Sequence, residues 1–255
     1  MIKSKKELKF CISADYMMNR GYFKEPILKK IISVIYPDWV MKYLIALRKV
    51  EFYSNGGGVL QYYYKFKVRM SGMKLGFTIA ENVFGYGLVI PHYGTIVVGS
   101  GNRIGNYAVL HTSTCITAGK KNIGDGLYLS TGAKVLGDIE LGNFITIGAN
   151  AVVNKSEEGN CLLIGIPAEK KRYEDAWMKG LYRERYEACE KLRQASVYKG
   201  YKQDKIEMRG DRAEMSDFPL YLNTVAGGLD RRDQTIGGFS FVVKIYAVPV
   251  VEIIG

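Results

Sequence analysis

The sequence predicts an α+β protein: a helical N-terminal domain over 1–72, a parallel β-helix over 73–168, a C-terminal helix over 169–196 and a tail over 197–255. Three observations carry this. Residues 98–153 repeat every six, as in Ile104-Gly105-Asn106-Tyr107-Ala108-Val109 and Leu141-Gly142-Asn143-Phe144-Ile145-Thr146, with an aliphatic residue opening every block. Before Lys74 the apolar residues instead recur at helical spacing, as in Leu8, Ile12 and Tyr16. After Ala168 the chain becomes charged and rich in helix formers.

The N-terminal elements follow from their stops. A helix over 3–19 ends at Asn19-Arg20-Gly21, with Gly at the C-cap. A second starts near Pro26 and runs to about Ile35. Asp38 caps a third, with Trp39, Tyr43, Leu44 and Leu47 on one face. Asn55-Gly56-Gly57-Gly58 breaks the chain, and a fourth helix runs from Val59 to about Ser71. Its Tyr62-Tyr63-Tyr64, interleaved with Lys65, Lys67 and Arg69, reads as packing; no recognised motif accompanies it, so no nucleic-acid partner is expected.

The six-residue repeat fits a short strand followed by a tight turn. Gly stands second in five blocks, where the turn needs a backbone conformation costly for other residues. Three strands close a triangular coil of eighteen residues, and stacked coils bury an aliphatic column. Residues 75–168 make about five coils. The insertion Lys120-Lys121-Asn122 is expected to bulge outward. Gly165-Ile166-Pro167-Ala168 ends the repeat, because Pro cannot donate to a ladder. A capping helix then spans Ala168 to Gln194, with Tyr173, Trp177, Leu181, Ala188 and Leu192 near one face. The tail holds a Gly-rich turn, Ala226-Gly227-Gly228, and an apolar close from Phe239 to Ile254 that reads as one or two strands.

Composition narrows the classes. With 47% hydrophobic and 24% charged residues the chain of 255 is globular. Cys11, Cys115, Cys161 and Cys189 are scattered, which points to a reducing compartment and away from a zinc finger or disulfide framework. The basic start, Met1 to Lys6, has no apolar core behind it, and no run reaches the ~18 apolar residues of a membrane span. A cytoplasmic protein is expected. The net charge of +11 is concentrated: residues 1–74 hold fifteen Lys/Arg against five Asp/Glu. That field suits an anionic membrane surface or an anionic acceptor.

The repeats resemble the left-handed parallel β-helix acyltransferases. Gly85-Tyr86-Gly87-Leu88-Val89-Ile90-Pro91-His92-Tyr93-Gly94-Thr95-Ile96 is similar to the catalytic coil of serine acetyltransferases. Thr131-Gly132-Ala133-Lys134-Val135 and Ile147-Gly148-Ala149-Asn150-Ala151 resemble their coenzyme A-binding coils, and Gly165-Ile166-Pro167-Ala168 their closing motif. The chain looks most like the serine acetyltransferase-like proteins of bacterial surface-polysaccharide gene clusters. The left-handed coil is implied by this resemblance alone.

The resemblance implies an acetyl-CoA-dependent O-acetyltransferase that needs no metal. His92 stands where the family carries its general base, and His is the side chain that titrates near cellular pH. His111 follows nineteen residues later, one coil plus one residue, and lies near it. His111, Glu81 and Tyr93 are the candidate acceptor contacts. The family binds pantetheine through backbone groups in the groove between neighbouring subunits of a homotrimer. The matching positions are Ala118, Gly119, Thr131, Gly132 and Ala149. Lys170 and Lys171 are placed to pair with coenzyme A phosphate.

Two departures concern the acceptor. Fifteen residues before His92, where the family has an orienting Asp, stands Phe77, and the residue just before His92 is Pro91. Glu81 or a backbone carbonyl is the replacement. The family's Arg-His pair before the next coil is missing, which lowers serine and raises a sugar or surface-polysaccharide precursor as acceptor. A β-helix metal hydratase needs three His ligands, and the chain has two His. A non-catalytic scaffold is the remaining alternative.

Overall fold

The computed structural model describes residues 2–173 and 181–208, with Lys30, Leu181 and the last thirteen as backbone only. The Gly-rich turn at 226–228, the apolar close of the tail and Trp177 lie outside the described residues. The chain divides into two units, 1–204 and 205–255. No helix among the described residues is long and apolar enough to cross a membrane.

Four helices open the first unit. In α1 (Lys5–Arg20) the Ser4 hydroxyl accepts from the Glu7 amide at 3.1 Å, and Glu7 accepts from the Lys3 amide at 2.8 Å, a reciprocal cap. Gly21 ends it in the left-handed region, as its position after Asn19-Arg20 predicts. Next come α2 (Ile27–Ile35) and α3 (Trp39–Gly56). The Asp38 carboxylate accepts from the Met41 amide at 3.0 Å and grips Arg20 at 2.6 Å, so one side chain caps α3 and ties it to the end of α1. Then α4 (Val59–Leu75) runs one turn beyond the expected stop, to Gly76. Tyr43, Leu44 and Leu47 are buried as expected, but Trp39 is half-exposed between Lys42 and Lys74. The Tyr run on α4 is only partly packing. Tyr64 stacks on Tyr53, while Tyr62 and Tyr63 face solvent.

The coils follow in rows of three strands: β1 (Phe77–Ile79), a first coil with one named strand; β2 (Ile96–Val98), β3 (Arg103–Ile104), β4 (Val109–Leu110); β5 (Thr114–Ile116), β6 (Asn122–Ile123), β7 (Tyr128–Leu129); β8 (Lys134–Val135), β9 (Glu140–Leu141), β10 (Ile145–Ile147); then β11 (Val152–Val153), β12 (Cys161–Gly165) and β13 (Ala168–Tyr173). They form three flat faces. Face A is β1-β2-β5-β8-β11, face B is β3-β6-β9, and face C is β4-β7-β10-β12-β13. All pairs are parallel except the last. This is the parallel β-helix of about five coils that the repeat predicts. The aliphatic first places, Val98, Ile104, Leu110, Ile116, Ile123, Leu129, Val135, Leu141 and Ile147, are all buried. Each contributes about 1.5–3 kcal/mol by leaving water. The small fifth places Ala108, Ala133 and Ala151 fill the corners of the same column.

Three expectations are corrected. The helical region is not separate: Val40, Leu44 and Leu47 share one continuous core with Phe77, Ile79 and the whole column. Residues 168–173 are strand, not helix. The turn at Ile166-Pro167 folds the chain back, so β13 pairs antiparallel with β12 and satisfies that strand's free edge. The helix after it, α5 (Leu181–Met208), starts later and packs Tyr186 edge-on against Tyr107 at 4.7 Å. Finally, the Lys120–Asn122 insertion does not simply bulge outward. Lys121 is buried, its ammonium donating to the Thr117 carbonyl at 2.9 Å, and Asn122 lies in β6.

Candidate active site

The sequence folds His92 into a longer corner. Val89 pairs with Val109, twenty residues on, while Ile96 pairs with Thr114, eighteen residues on. The corner between faces C and A in this coil is therefore two residues longer than the corner stacked on it. The next corners match, since Leu110 pairs with Leu129 and Cys115 with Lys134, both nineteen on. The extra length pushes His92 and Tyr93 outward, and both are exposed. Gly94 closes the bulge at φ 142°, where a β-carbon would crowd the Thr112 side chain.

His111 lies on the corner above, its ring 6.2 Å from that of His92 between centroids and tilted by 49°. It is half-buried and held at both ends. Its Nε2 is hydrogen-bonded to the Tyr128 hydroxyl at 2.7 Å, and its carbonyl accepts from the Thr114 hydroxyl at 2.8 Å. Burial, and then the neighbouring His92, hold its pKa below the ordinary histidine value. Burial pushes the Tyr128 phenol up, so it keeps its proton. Sequence reasoning missed Tyr128; its place one coil from His111 was the available signal.

The same edge continues upward. Ser113, Gly132 and Asn150 stack in the left-handed conformation at φ 62°, 78° and 57°. Thr131 and Ala149 are exposed beside them. Gly132 has both backbone groups engaged, its N–H donating to the Thr112 carbonyl and its carbonyl accepting from Lys134 Nζ at 2.9 Å. The closing turn at Ile166-Pro167 crowns this edge. With parallel strands ~4.8 Å apart, the four steps from the His92 coil span about 19 Å.

The remaining expected residues lie apart. Ala118 and Gly119 sit at the other end of face A, four residues along from Thr114, or about 13 Å of extended strand. Lys170 and Lys171 are on β13, not on a helix. Lys170 lies over the Tyr173 ring at 4.1 Å, and Lys171 is 3.7 Å from Glu169. Glu81 is bound to Lys65 at 3.2 Å and accepts from the Ser54 hydroxyl at 3.1 Å. It lines a groove of about 830 Å³ between α4 and the first strands of face A, with Lys65, Arg69, Met73, Phe77 and Thr95. At the position of the expected orienting Asp, Phe77 is a core residue packed edge-on against Tyr43 at 5.3 Å.

Helix α1 holds the strand that leads into His92. The Leu88 amide donates to Asp15 and the Ile90 amide to the Asn19 side chain, both at 3.0 Å. Asn19 donates back to the Leu88 carbonyl at 2.8 Å. Arg48, fully buried, donates to Asp15 at 2.8 Å, to Glu51 at 3.0 Å and to the Phe84 carbonyl at 3.0 Å. Two acids and one guanidinium thus fix helices α1 and α3 to the first coil.

No protein-family model matches the chain. The chain is 34% identical over 93 residues to the serine acetyltransferase of Buchnera aphidicola, covering 33% of this chain and 34% of that one. It is 30% identical over 90 residues to that of Synechococcus elongatus, covering 32% and 37%. The chain spans about a third of the length of these curated relatives. Among solved structures, a serine acetyltransferase in complex with CoA superimposes with a TM-score of 0.52 at 19% identity, over 66% of this chain and 70% of that one. The soybean serine acetyltransferase apoenzyme gives 0.52 at 21%, over 64% and 69%. The fold of this chain is that of the solved serine acetyltransferases. The superpositions cover about twice as much of the chain as the sequence matches do. Within the β-helix, His92, His111, Thr131, Gly132 and Ala149 share one edge, and Ala118 and Gly119 lie on another.

Proposed function

We propose that this chain is an acetyl-CoA-dependent O-acetyltransferase of the serine acetyltransferase type, with His92 as general base. One observation carries the reading: His92 stands on an outward-bulged corner directly below His111 and the stacked Thr131 and Ala149 corners. Acetyl transfer from a thioester to a hydroxyl needs a base at the hydroxyl and donors at the oxyanion. His92 takes the acceptor proton as the hydroxyl oxygen attacks the thioester carbonyl, and returns it to the departing thiolate. Tyr128 occupies Nε2 of His111, so Nδ1 is the nitrogen turned to substrate chemistry, and the depressed pKa keeps that ring neutral. The pantetheine arm lies along the 19 Å edge toward the closing turn, with Lys170 and Lys171 on β13 beyond that turn as the candidate phosphate partners.

The acceptor has two readings. Serine acetyltransferase relatives favour serine. The missing Arg-His pair, with Lys120-Lys121-Asn122 standing before the next coil instead, favours a sugar or polysaccharide precursor, because the groups that would read an amino acid's carboxylate are absent there. The assembly is a homotrimer with the donor groove between subunits. The basic N-terminal region gives the enzyme a peripheral contact with anionic membrane.

Thiol release from acetyl-CoA, measured against L-serine and a panel of sugars and nucleotide sugars, tests the reading. Acceptor-dependent release that falls at least about 100-fold in His92→Ala is the expected result. Release that is independent of acceptor, or unchanged in His92→Ala, overturns it.

A further inference from the structure

Helix α2 is unlike the other helices of this chain. None of its described side chains is buried. Ile27, Leu28, Ile31, Ile32, Val34 and Ile35 are 51–90% exposed. At about 100° per residue these six fill one contiguous arc, and Lys29, Lys30 and Ser33 occupy the opposite side. A nine-residue helix has little stability of its own in water, so this apolar face needs cover.

The surroundings say which cover fits. Tyr36 beside it is 83% exposed. Helix α4 adds Tyr62, Tyr63, Phe66 and Met73, all largely exposed. Trp39 joins the two elements, because it follows α2 in the chain and lies 3.9 Å under the Lys74 ammonium at the end of α4. Across α2 and α4 there are six basic residues, Lys29, Lys30, Lys65, Lys67, Arg69 and Lys74, and no acid. A second copy laid on this surface would bring like charges together. Anionic headgroups neutralise them, while the aliphatic arc enters the acyl boundary and the aromatic rings sit at headgroup level.

We infer that α2 is an in-plane anchor, which inserts its Ile/Leu/Val arc into an anionic bilayer with Lys29, Lys67 and Lys74 on the headgroups. Helix α4 meets the candidate active site through backbone: its last residue, Leu75, accepts from the Gly94 amide in the His92 corner at 2.8 Å. The anchor deepens the membrane contact proposed above and is independent of acetyl transfer, since binding is read without acetyl-CoA.

Co-sedimentation of the full chain with vesicles of phosphatidylcholine, alone or with 30% phosphatidylglycerol by design, is the experiment. Binding at least about tenfold stronger to the anionic vesicles is expected, weakening in high salt. Ile31→Glu/Ile35→Glu should remove it, and Lys29→Gln should weaken it about fivefold. Because none of the described α2 side chains is buried, both variants should melt with wild type, which separates lost binding from lost fold. Absence of vesicle binding, or binding unaffected by Ile31→Glu/Ile35→Glu, overturns the inference. So does dissociation of the lipid-free oligomer by that variant in analytical ultracentrifugation, since a second copy would then be the cover.

Discussion

At the scale of single residues, the candidate site turns on two imidazoles in different surroundings. His92 is exposed on its bulge, while His111 is half-buried against Tyr128. Burial, then repulsion from His92, lowers the His111 pKa, so the folded state resists a proton that the unfolded chain accepts near 6.5. The sign follows: between 6.5 and the lower folded value the unfolded state binds more protons, and stability falls as pH drops through that window. The chain has only these two histidines, which makes the titration directly readable by NMR. We expect His111 to titrate below 6.5, and its pKa to rise in His92→Ala as the repulsion disappears. A His111 value above 6.5, or one indifferent to His92→Ala, would contradict the arrangement.

Among the elements, helix α1 and the first coil are joined by polar groups rather than by apolar contact alone. Arg48, Asp15 and Glu51 are each at most 2% exposed and form one network that also binds the Phe84 carbonyl. Removing the guanidinium leaves two carboxylates buried and unpaired. Arg48→Ala should therefore cost about 3–5 kcal/mol in urea unfolding, against about 1 kcal/mol for an exposed pair such as Lys65 with Glu81. A loss near 1 kcal/mol would mean that water enters to solvate the acids. Such joints explain what the sequence shows and what it hides. The column from Val98 to Val153 is legible because each strand reports its burial every sixth residue, and the caps at Ser4, Asp38 and Gly21 are legible because they act within one turn. Strand β13 is not, because Ala168–Tyr173 is a good helix sequence whose fate is decided by the free edge of β12 beside it. The Asp15 and Asn19 bonds to Leu88 and Ile90 span about seventy residues and leave no periodic trace. Likewise, the resemblance locates His92, but only the strand register shows that its corner carries two extra residues.

On the scale of the whole molecule, the prism separates groups that the proposed chemistry needs together. His92, His111, Thr131, Gly132 and Ala149 lie on the corner between faces C and A, whereas Ala118 and Gly119 lie at the far end of face A. One rigid β-helix cannot fold one edge onto another. A three-fold assembly can, because it sets the first edge of one subunit against the second edge of its neighbour. Each site then draws on two chains, and two inactive chains should rescue one another. His92→Ala removes the base from the first edge. Ala118→Trp fills the groove from the second, at an exposed position where the bulk does not touch the column. Each variant alone should be inactive. Co-expressed in equal amounts and purified through two different tags, so that only mixed trimers remain, they should regain about a third of wild-type thiol release, since in each mixed trimer one site of the three has its first edge from an Ala118→Trp subunit and its second from a His92→Ala subunit. No recovery, with both variants shown to co-purify as one oligomer, would place the whole site within a single chain and leave Ala118 and Gly119 with a purely structural role.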